Sequence, residues 1–87
     1  MNSQVAGLDL HKKQSYITVM DGNGQILGEK VLKSKAEPIL SYLGKFGKPE
    51  VVFEATRNWY WLYEALQRKG YDVTMAHPKK TKAIGEA

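Results

Sequence analysis

Two acidic residues end strand-like segments and have the type and placement of metal ligands. Asp9 shares one face of its segment with Val5 and Gly7, where a core residue is otherwise expected, because side chains alternate along a strand. Glu54 shares a face with Val52 in the same way. Two carboxylates held close together repel each other unless a cation lies between them. Oxygen-only ligands, without His or Cys, suit Mg²⁺ or Mn²⁺, which stabilise the attacking and leaving oxygens of a phosphodiester displacement.

The elements that must position Asp9 follow from apolar periodicity and turn residues. Segments 4–10, 15–20 and 25–32 predict three strands, and the residues at 21–24 predict a hairpin turn, because Gly and Asn adopt positive φ at low cost. Ser34 and Glu37 predict a capping box at the start of a helix. The apolar stripe of that helix is Ala36, Ile39, Leu40, Leu43 and Phe46.

The second half of the chain repeats the alternation of strand and helix. Segment 50–54 predicts a buried fourth strand that ends at Glu54, and Thr56 or Asn58 is predicted to cap the next helix. Gly70 is predicted to end that helix, and segments 72–76 and 79–87 predict a fifth strand and the start of a third helix. The inner face of the second helix is predicted to be Trp59, Leu62, Tyr63 and Leu66.

The succession β-β-β-α-β-α-β predicts an α/β fold. Three strands form an antiparallel meander, and each crossover through a helix joins parallel strands, so that strands one, four and five become parallel neighbours. This is the ribonuclease-H-like arrangement, a mixed sheet of strand order 3-2-1-4-5 with helices on its faces.

The predicted fold brings the two acids to the same edge of the sheet. Either acid alone is explained equally well as a strand end or a local bridge. Together they lie at the carboxyl ends of adjacent strands, where ligands bind in open α/β sheets. We therefore predict that Asp9 and Glu54 hold a common cation, with their oxygens within roughly 4–7 Å of each other.

The composition indicates one small domain with a basic surface. The chain has 87 residues, of which 43% are hydrophobic and 25% are charged, and its net charge is +4. The lack of cysteine excludes a disulfide framework, a zinc ribbon and a thiol nucleophile. The longest apolar run, residues 59–63, is far shorter than the ~20 residues of a membrane span, and the start resembles no secretion signal. We expect a cytoplasmic protein without a membrane partner.

Basic residues cluster after the first and the fifth predicted strands. Clustered lysines are typical of proteins that bind a nucleic-acid backbone, although a solvated surface explains them nearly as well. His11 is expected to be a solvated side chain. The candidate backbone contacts are Lys12, Lys13, Lys79, Lys80 and Lys82.

Three consecutive aromatic residues, Trp59, Tyr60 and Trp61, cannot all face the core from one helix. Trp59 is assigned to the core. Tyr60 or Trp61 could stack on a base, but an anchor in a protein interface is favoured. Because exposed apolar surface is rarely left uncovered, we expect a two-fold homodimer.

Three motifs carry a resemblance to a known family. They occupy residues 7–13 (GLDLHKK), 53–63 (FEATRNWYWLY) and 76–84 (AHPKKTKAI). In type, order and spacing they resemble the amino-terminal RuvC-like domain of the DEDD transposases of bacterial insertion sequences, the insertion-sequence 110 family. The resemblance covers essentially all 87 residues, and the Phe-Glu-Ala-Thr block followed by Trp-Tyr-Trp is its most specific part.

The resemblance implies a bacterial DNA recombinase that is guided by RNA. In that family four acids chelate Mg²⁺, and Asp9 matches the first of them and Glu54 the second. The third and fourth acids, and a carboxyl-terminal domain with a serine for strand exchange, belong to segments expected beyond Ala87. The chain is therefore expected to be the front portion of a transposase and inactive by itself.

Two other classes of function share this fold. An actin-like ATPase or sugar-kinase half-domain needs a small, Gly-rich turn between strands one and two, and the turn at residues 11–14 contains no glycine. A non-catalytic module that binds nucleic acid or protein remains an alternative for the isolated chain.

Overall fold

The computed structural model describes residues 4–55 and 58–76 and contains one five-stranded mixed sheet of order β3-β2-β1-β4-β5. This order confirms the predicted arrangement. The third helix predicted at 79–87 lies outside the described residues. In chain order the elements are β1 (Val5–Leu10), β2 (Gln14–Met20), β3 (Ile26–Lys33), α1 (Ala36–Gly44), β4 (Glu50–Glu54), α2 (Tyr60–Arg68) and β5 (Val73–Ala76).

Strands β1, β2 and β3 form the predicted antiparallel meander. The turn between β2 and β3 is organised by Asp21, whose carboxylate accepts the backbone N–H groups of Asn23 at 2.8 Å and Gln25 at 3.0 Å. Gly24 has φ +83°, a conformation that side chains disfavour. The turn residues therefore set the register of the hairpin, as their types predict.

Both described helices pack on one face of the sheet. The connections β3-α1-β4 and β4-α2-β5 both run toward the β5 edge and join parallel strands. Two right-handed crossovers that run in the same direction place their helices on the same side. The helices accordingly contact each other, and the second face is covered by neither.

The predicted capping box at the start of α1 is wrong. Lys35 is the N-cap, and no side chain caps this helix. The hydroxyl of Ser34 donates instead to the carbonyl oxygen of His11 at 2.5 Å and accepts from the hydroxyl of Ser15 at 2.6 Å. Because Ser15 is only 1% exposed and requires a partner, the tertiary contact takes precedence over the local cap.

The N-cap of helix α2 lies one residue after the predicted cap Asn58, and the helix ends where predicted. Its N-cap is Trp59, without a side-chain hydrogen bond, so the prediction of Asn58 as the cap is wrong, while Thr56 lies outside the described residues. At the other end Gly70 has φ +82°, and its N–H donates to the carbonyl oxygen of Gln67 at 3.0 Å. Neither described helix is long and apolar enough to cross a membrane.

The core lies between the two helices and alternate residues of the strands. The predicted stripes are confirmed at Ile39 and Leu43 of α1 and at Leu62 and Leu66 of α2, all fully buried. Trp59 is half-buried and packs against this core. The buried strand residues are Ala6, Leu8, Leu10, Ile17, Val19, Val51 and Phe53.

The strand face that carries Asp9 is not a core face, contrary to the sequence expectation. Burial along β1 alternates, with Ala6, Leu8 and Leu10 buried and the residues between them half-buried or exposed. Asp9 therefore lies on the face opposite the helices. Asp9 therefore takes the place of no core residue, because this side of the described sheet is open.

Candidate functional site

Asp9 and Glu54 end neighbouring parallel strands. Leu8 of β1 pairs with Phe53 of β4, and the two acids are the next residues along each strand. Both are exposed, and both line the same groove on the open face. The structure thus brings together the two acids that sequence reasoning paired. Their role as metal ligands remains a prediction.

The groove on the open face, called the sheet groove below, has a volume of about 340 Å³. Its floor includes Gly7, at which an added Cβ would meet no atom within 4 Å. The packing of the described chain therefore does not require glycine at this position. Glycine inside a strand often marks the close approach of a ligand or another backbone. The groove is lined by Gly7, Leu8, Asp9, Tyr16, Thr18, Val52, Phe53, Glu54 and Ala76.

A second cavity, the helix-side cleft, lies beyond the ends of the same strands and has a volume of about 830 Å³. It contains both carboxylates, a lysine, an amide and an indole. Trp61, which is half-buried, contributes the indole from the first turn of α2. The lining residues are Asp9, Leu10, His11, Lys12, Ser34, Glu54, Asn58 and Trp61.

His11 contacts one of the two acids. Its Nε2 lies 3.1 Å from Oδ2 of Asp9, and both side chains are 68% exposed. The sequence expectation of a solvated histidine is confirmed for its exposure, but the contact with Asp9 was not anticipated. An i, i+2 pair at the end of a strand brings the two side chains to the same face.

The loop between β1 and β2 carries the first basic cluster. Lys12 and Lys13 are both exposed, and Ser34 anchors this loop, since its N–H donates to the carbonyl oxygen of Lys13 at 2.9 Å and its hydroxyl to that of His11. A third cavity of about 670 Å³, the loop-side cleft, adjoins the loop. It is lined by Asp9, His11, Lys12, Lys13, Gln14, Ser15, Tyr16 and Val31.

Tyr16 is a site residue that sequence reasoning did not single out. It pairs with Asp9 across β1 and β2, lines the sheet groove and the loop-side cleft, and is 41% exposed. Its hydroxyl donates to Glu29 of β3. That hydrogen bond to a carboxylate raises the pKa of the Tyr16 phenol above 10.0. The alternation of side chains along β2 could have predicted that Tyr16 belongs to the site, because it places Tyr16 on the same face as Asp9.

The three consecutive aromatic residues separate into two environments. Tyr60 is 60% exposed and packs edge-on against Trp59, which also contacts Tyr63. Trp61 lines the helix-side cleft together with the acids, packs in part against the core, and shares no ring contact with another described aromatic residue. Tyr60 is therefore the more exposed of the two residues, and the role of Tyr60 or Trp61 as an interface anchor stays a prediction.

The donor set fits part of a magnesium site. Mg²⁺ is commonly held by one or two carboxylates together with water and substrate phosphates, and Asp9 and Glu54 supply two carboxylates. Within residues 4–55 and 58–76, no group of three or more potential ligands forms a complete metal site. The predicted backbone contacts Lys79, Lys80 and Lys82 lie outside the described residues.

Comparison with known proteins shows the family. A family profile described as a transposase, the DEDD transposases of the insertion-sequence 110 type, matches residues 6–87, and the chain belongs to this family. The resemblance of the three motifs is thus confirmed. A comparison with curated proteins found no match.

Solved structures with the same fold include a nuclease and a protein with an actin-like ATPase fold. The large terminase nuclease of a thermophilic phage is 20% identical with a TM-score of 0.67, and the match covers 95% of this chain and 48% of that one. A Bacteroides thetaiotaomicron protein with an actin-like ATPase fold and unknown function is 19% identical with a TM-score of 0.66, over 86% of this chain and 33% of that one. The chain thus spans about half or less of these proteins, and identities this low show the fold alone.

Proposed function

We propose that this chain is the amino-terminal part of the catalytic domain of a DNA transposase that cuts and rejoins DNA with a divalent metal, Mg²⁺ or Mn²⁺. The observation that carries the proposal is the placement of Asp9 and Glu54 in common cavities at the ends of β1 and β4, in a chain of a transposase family. The bare floor at Gly7 supports it, because it leaves space beside the acids.

Each residue of the site has a distinct part in this proposal. Asp9 and Glu54 would hold the metal, and His11 keeps the Asp9 carboxylate oriented through its 3.1 Å contact. A bound divalent ion stabilises the charge that develops on the attacking and leaving oxygens of a phosphodiester. Lys12 and Lys13 provide positive charge for the DNA backbone at the same edge.

The remaining parts of the proposal rest on the family resemblance. By that resemblance two further acids would complete the metal site from segments expected beyond Ala87, and an RNA would guide the full-length protein to its DNA. The chain corresponds to an incomplete RuvC-like domain and does not cleave DNA by itself. Lys79, Lys80 and Lys82 extend the backbone contacts.

We also propose that the protein forms a two-fold dimer. The open face and its edge expose Ile26, Leu27 and Val31, and α2 exposes Tyr60. Apolar patches of this kind commonly mark interfaces. Sedimentation of the 87-residue chain at micromolar concentration tests this, with a dimer expected and a clean monomer contradicting it.

The proposed catalysis is tested in the full-length protein with its two acids changed separately. Asp9→Asn and Glu54→Gln are expected to lower metal-dependent DNA cleavage by about 100-fold or more, since losing even an outer-sphere partner of a metal ligand costs about 10–100-fold. Glu64→Gln removes an exposed carboxylate that pairs with Arg68 outside the cavities and should leave cleavage unchanged.

Binding of Mn²⁺ by the 87-residue chain provides a readout that does not depend on cleavage. Calorimetric titration should show weak binding that Asp9→Asn abolishes and Glu64→Gln preserves. Cleavage that survives both acid substitutions would contradict the proposal and favour a non-catalytic interaction module.

A further inference from the structure

Two aromatic rings flank Asp9, one in each of the clefts that share it. Trp61 lines the helix-side cleft and Tyr16 lines the loop-side cleft, while Asp9, His11 and Lys12 line both. The two clefts therefore adjoin along the edge where the acids lie. The edge therefore combines basic side chains with one aromatic side chain in each cleft.

From this arrangement we infer that the edge binds DNA as an unpaired single strand, with bases stacked on Trp61 and Tyr16 and the backbone held by Lys12 and Lys13. The inference rests on the proposed function and specifies the form of DNA that reaches the acids. Proteins that bind single strands combine a basic groove with aromatic platforms, because every base has a stacking face.

Trp61 and Tyr16 differ from Trp59, Tyr60 and Tyr63 in lining the clefts beside Asp9. Trp61 shares no ring contact with another described aromatic residue, whereas Trp59, Tyr60 and Tyr63 pack against one another. Tyr16 is held by the hydrogen bond of its hydroxyl to Glu29, and the residue is 41% exposed. A ring fixed at its polar end loses little further freedom when a base stacks on it.

The dimensions of the clefts also favour an unpaired strand. Their volumes of about 830 and 670 Å³ lie within the roughly 300–1,000 Å³ of sites that enclose small ligands, a size that suits a few nucleotides. A base inside a duplex is stacked on both faces and paired along one edge, so it must leave the helix to stack on a side-chain ring. An intact duplex would contact only the lysines.

The test measures DNA binding through the fluorescence of Trp61. In the 87-residue Trp59→Phe variant the remaining tryptophan emission comes from Trp61. A thymine oligonucleotide of about 16 nucleotides is titrated in Mg²⁺, which offsets the repulsion between phosphates and the two carboxylates. Single-stranded DNA is expected to quench the emission and to bind at least about 10-fold more tightly than the matching duplex.

Substitutions then assign the binding to the rings. Trp61→Leu and Tyr16→Leu keep apolar bulk and are each expected to weaken single-strand binding by about 5- to 150-fold, the range of one stacked base. Tyr60→Leu changes an exposed ring of the same helix outside both clefts and should have no effect. Lys12→Gln should reduce the dependence of affinity on salt.

Several outcomes would overturn the inference. These are an unchanged Trp61 emission, equal affinity for duplex and single strand, or affinities of the Trp61 and Tyr16 variants that match that of Tyr60→Leu. Tighter, Trp61-dependent binding of a uridine oligonucleotide would assign the edge to RNA instead of DNA. A Trp61→Leu variant that loses self-association but retains DNA affinity would assign the ring to a protein interface.

The inference and the proposed function fail in different measurements. If the chain stacks a single strand but full-length cleavage does not depend on Asp9 and Glu54, the catalytic proposal fails and this inference stands. If cleavage depends on the acids but single-stranded DNA does not quench Trp61 emission, this inference fails and the catalytic proposal stands.

Discussion

The two faces of the sheet differ although the same strands build both. On the helix-covered face Ile17, Val19 and Val51 are completely buried. On the open face Tyr16 and Val31 are 41% and 53% exposed, and the two acids line the sheet groove with Tyr16. Alternation along a strand separates the two sets of side chains. One face therefore supplies stability, and the other presents polar groups at low cost to the core.

Glycine shows the contrast most directly. At Gly28 of β3 an added Cβ would lie 2.6 Å from the hydroxyl of Tyr42 and 2.8 Å from Cζ of Phe46, both on the covered face. At Gly7, on the open face, it would meet nothing. A side chain at position 28 would force the ends of Tyr42 and Phe46 to move, whereas Gly7 leaves space that only another molecule or segment can use.

The largest expected difference between the faces concerns side-chain truncation. Leu43→Ala should lower the free energy of unfolding by about 2–5 kcal/mol, because Leu43 is fully buried in the core. Val31→Ala on the open face should cost about 1 kcal/mol or less. Urea denaturation of the 87-residue chain measures both. Equal losses would mean that the open face is covered in solution.

The same substitution at the two glycines should have opposite signs. Gly28→Ala should destabilise the fold by about 1–3 kcal/mol through overpacking against Tyr42 and Phe46. Gly7→Ala should stabilise it by roughly 0.5–1 kcal/mol, because alanine loses less chain entropy in a strand. Thermal melting of each variant checks the signs, and a destabilised Gly7→Ala would show that the sheet groove is filled.

The hydrogen bonds of Ser34 connect the covered face with the loop beside the acids. Ser34→Ala should cost about 1–3 kcal/mol, because it leaves the buried hydroxyl of Ser15 without an acceptor. The double variant Ser15→Ala/Ser34→Ala should be more stable than the sum of the single changes predicts, since no polar atom is then stranded. Additive losses in a double-mutant cycle would refute this account.

The smallest expected effect is on the free energy of unfolding at alkaline pH. Burial raises the pKa of Tyr71, and the hydrogen bond to Glu29 raises that of Tyr16, both above 10.0. The folded state therefore favours the protonated phenols. Their contribution to stability is complete below pH 10 and is lost as the pH rises through the folded-state pKa values.

Ultraviolet titration of phenolate separates the two tyrosines. Glu29→Gln should lower the pKa of Tyr16 and leave that of Tyr71 unchanged, because the two pKa values are raised by different causes. Tyr71→Phe should flatten the loss of stability above pH 10. If the Glu29→Gln substitution also changed the pKa of Tyr71, the two pKa values would not have independent causes, contrary to this account.

The comparison also explains which sequence predictions held. The strands, the order of the sheet and the turn at 21–24 were predictable, because alternation and turn residues act over a few neighbouring positions. The predicted capping box at Ser34 did not form, because the Ser34 hydroxyl hydrogen-bonds instead with Ser15, which lies 19 residues away in the sequence. The role of Tyr16 was missed for a related reason: its register opposite Asp9 depends on the pairing of β1 with β2.

The sequence by itself determined the succession of elements, the family and the identity of the two acids, because periodicity and motifs are local properties of the chain. The tertiary structure alone decided that both described helices share one face and that Asp9 therefore lies on an open surface instead of in a core. It also decided that Trp61 lines a cleft with the acids while Tyr60 does not. These outcomes depend on the direction of the crossovers and on contacts between residues far apart in the chain. Local patterns carry no information about either.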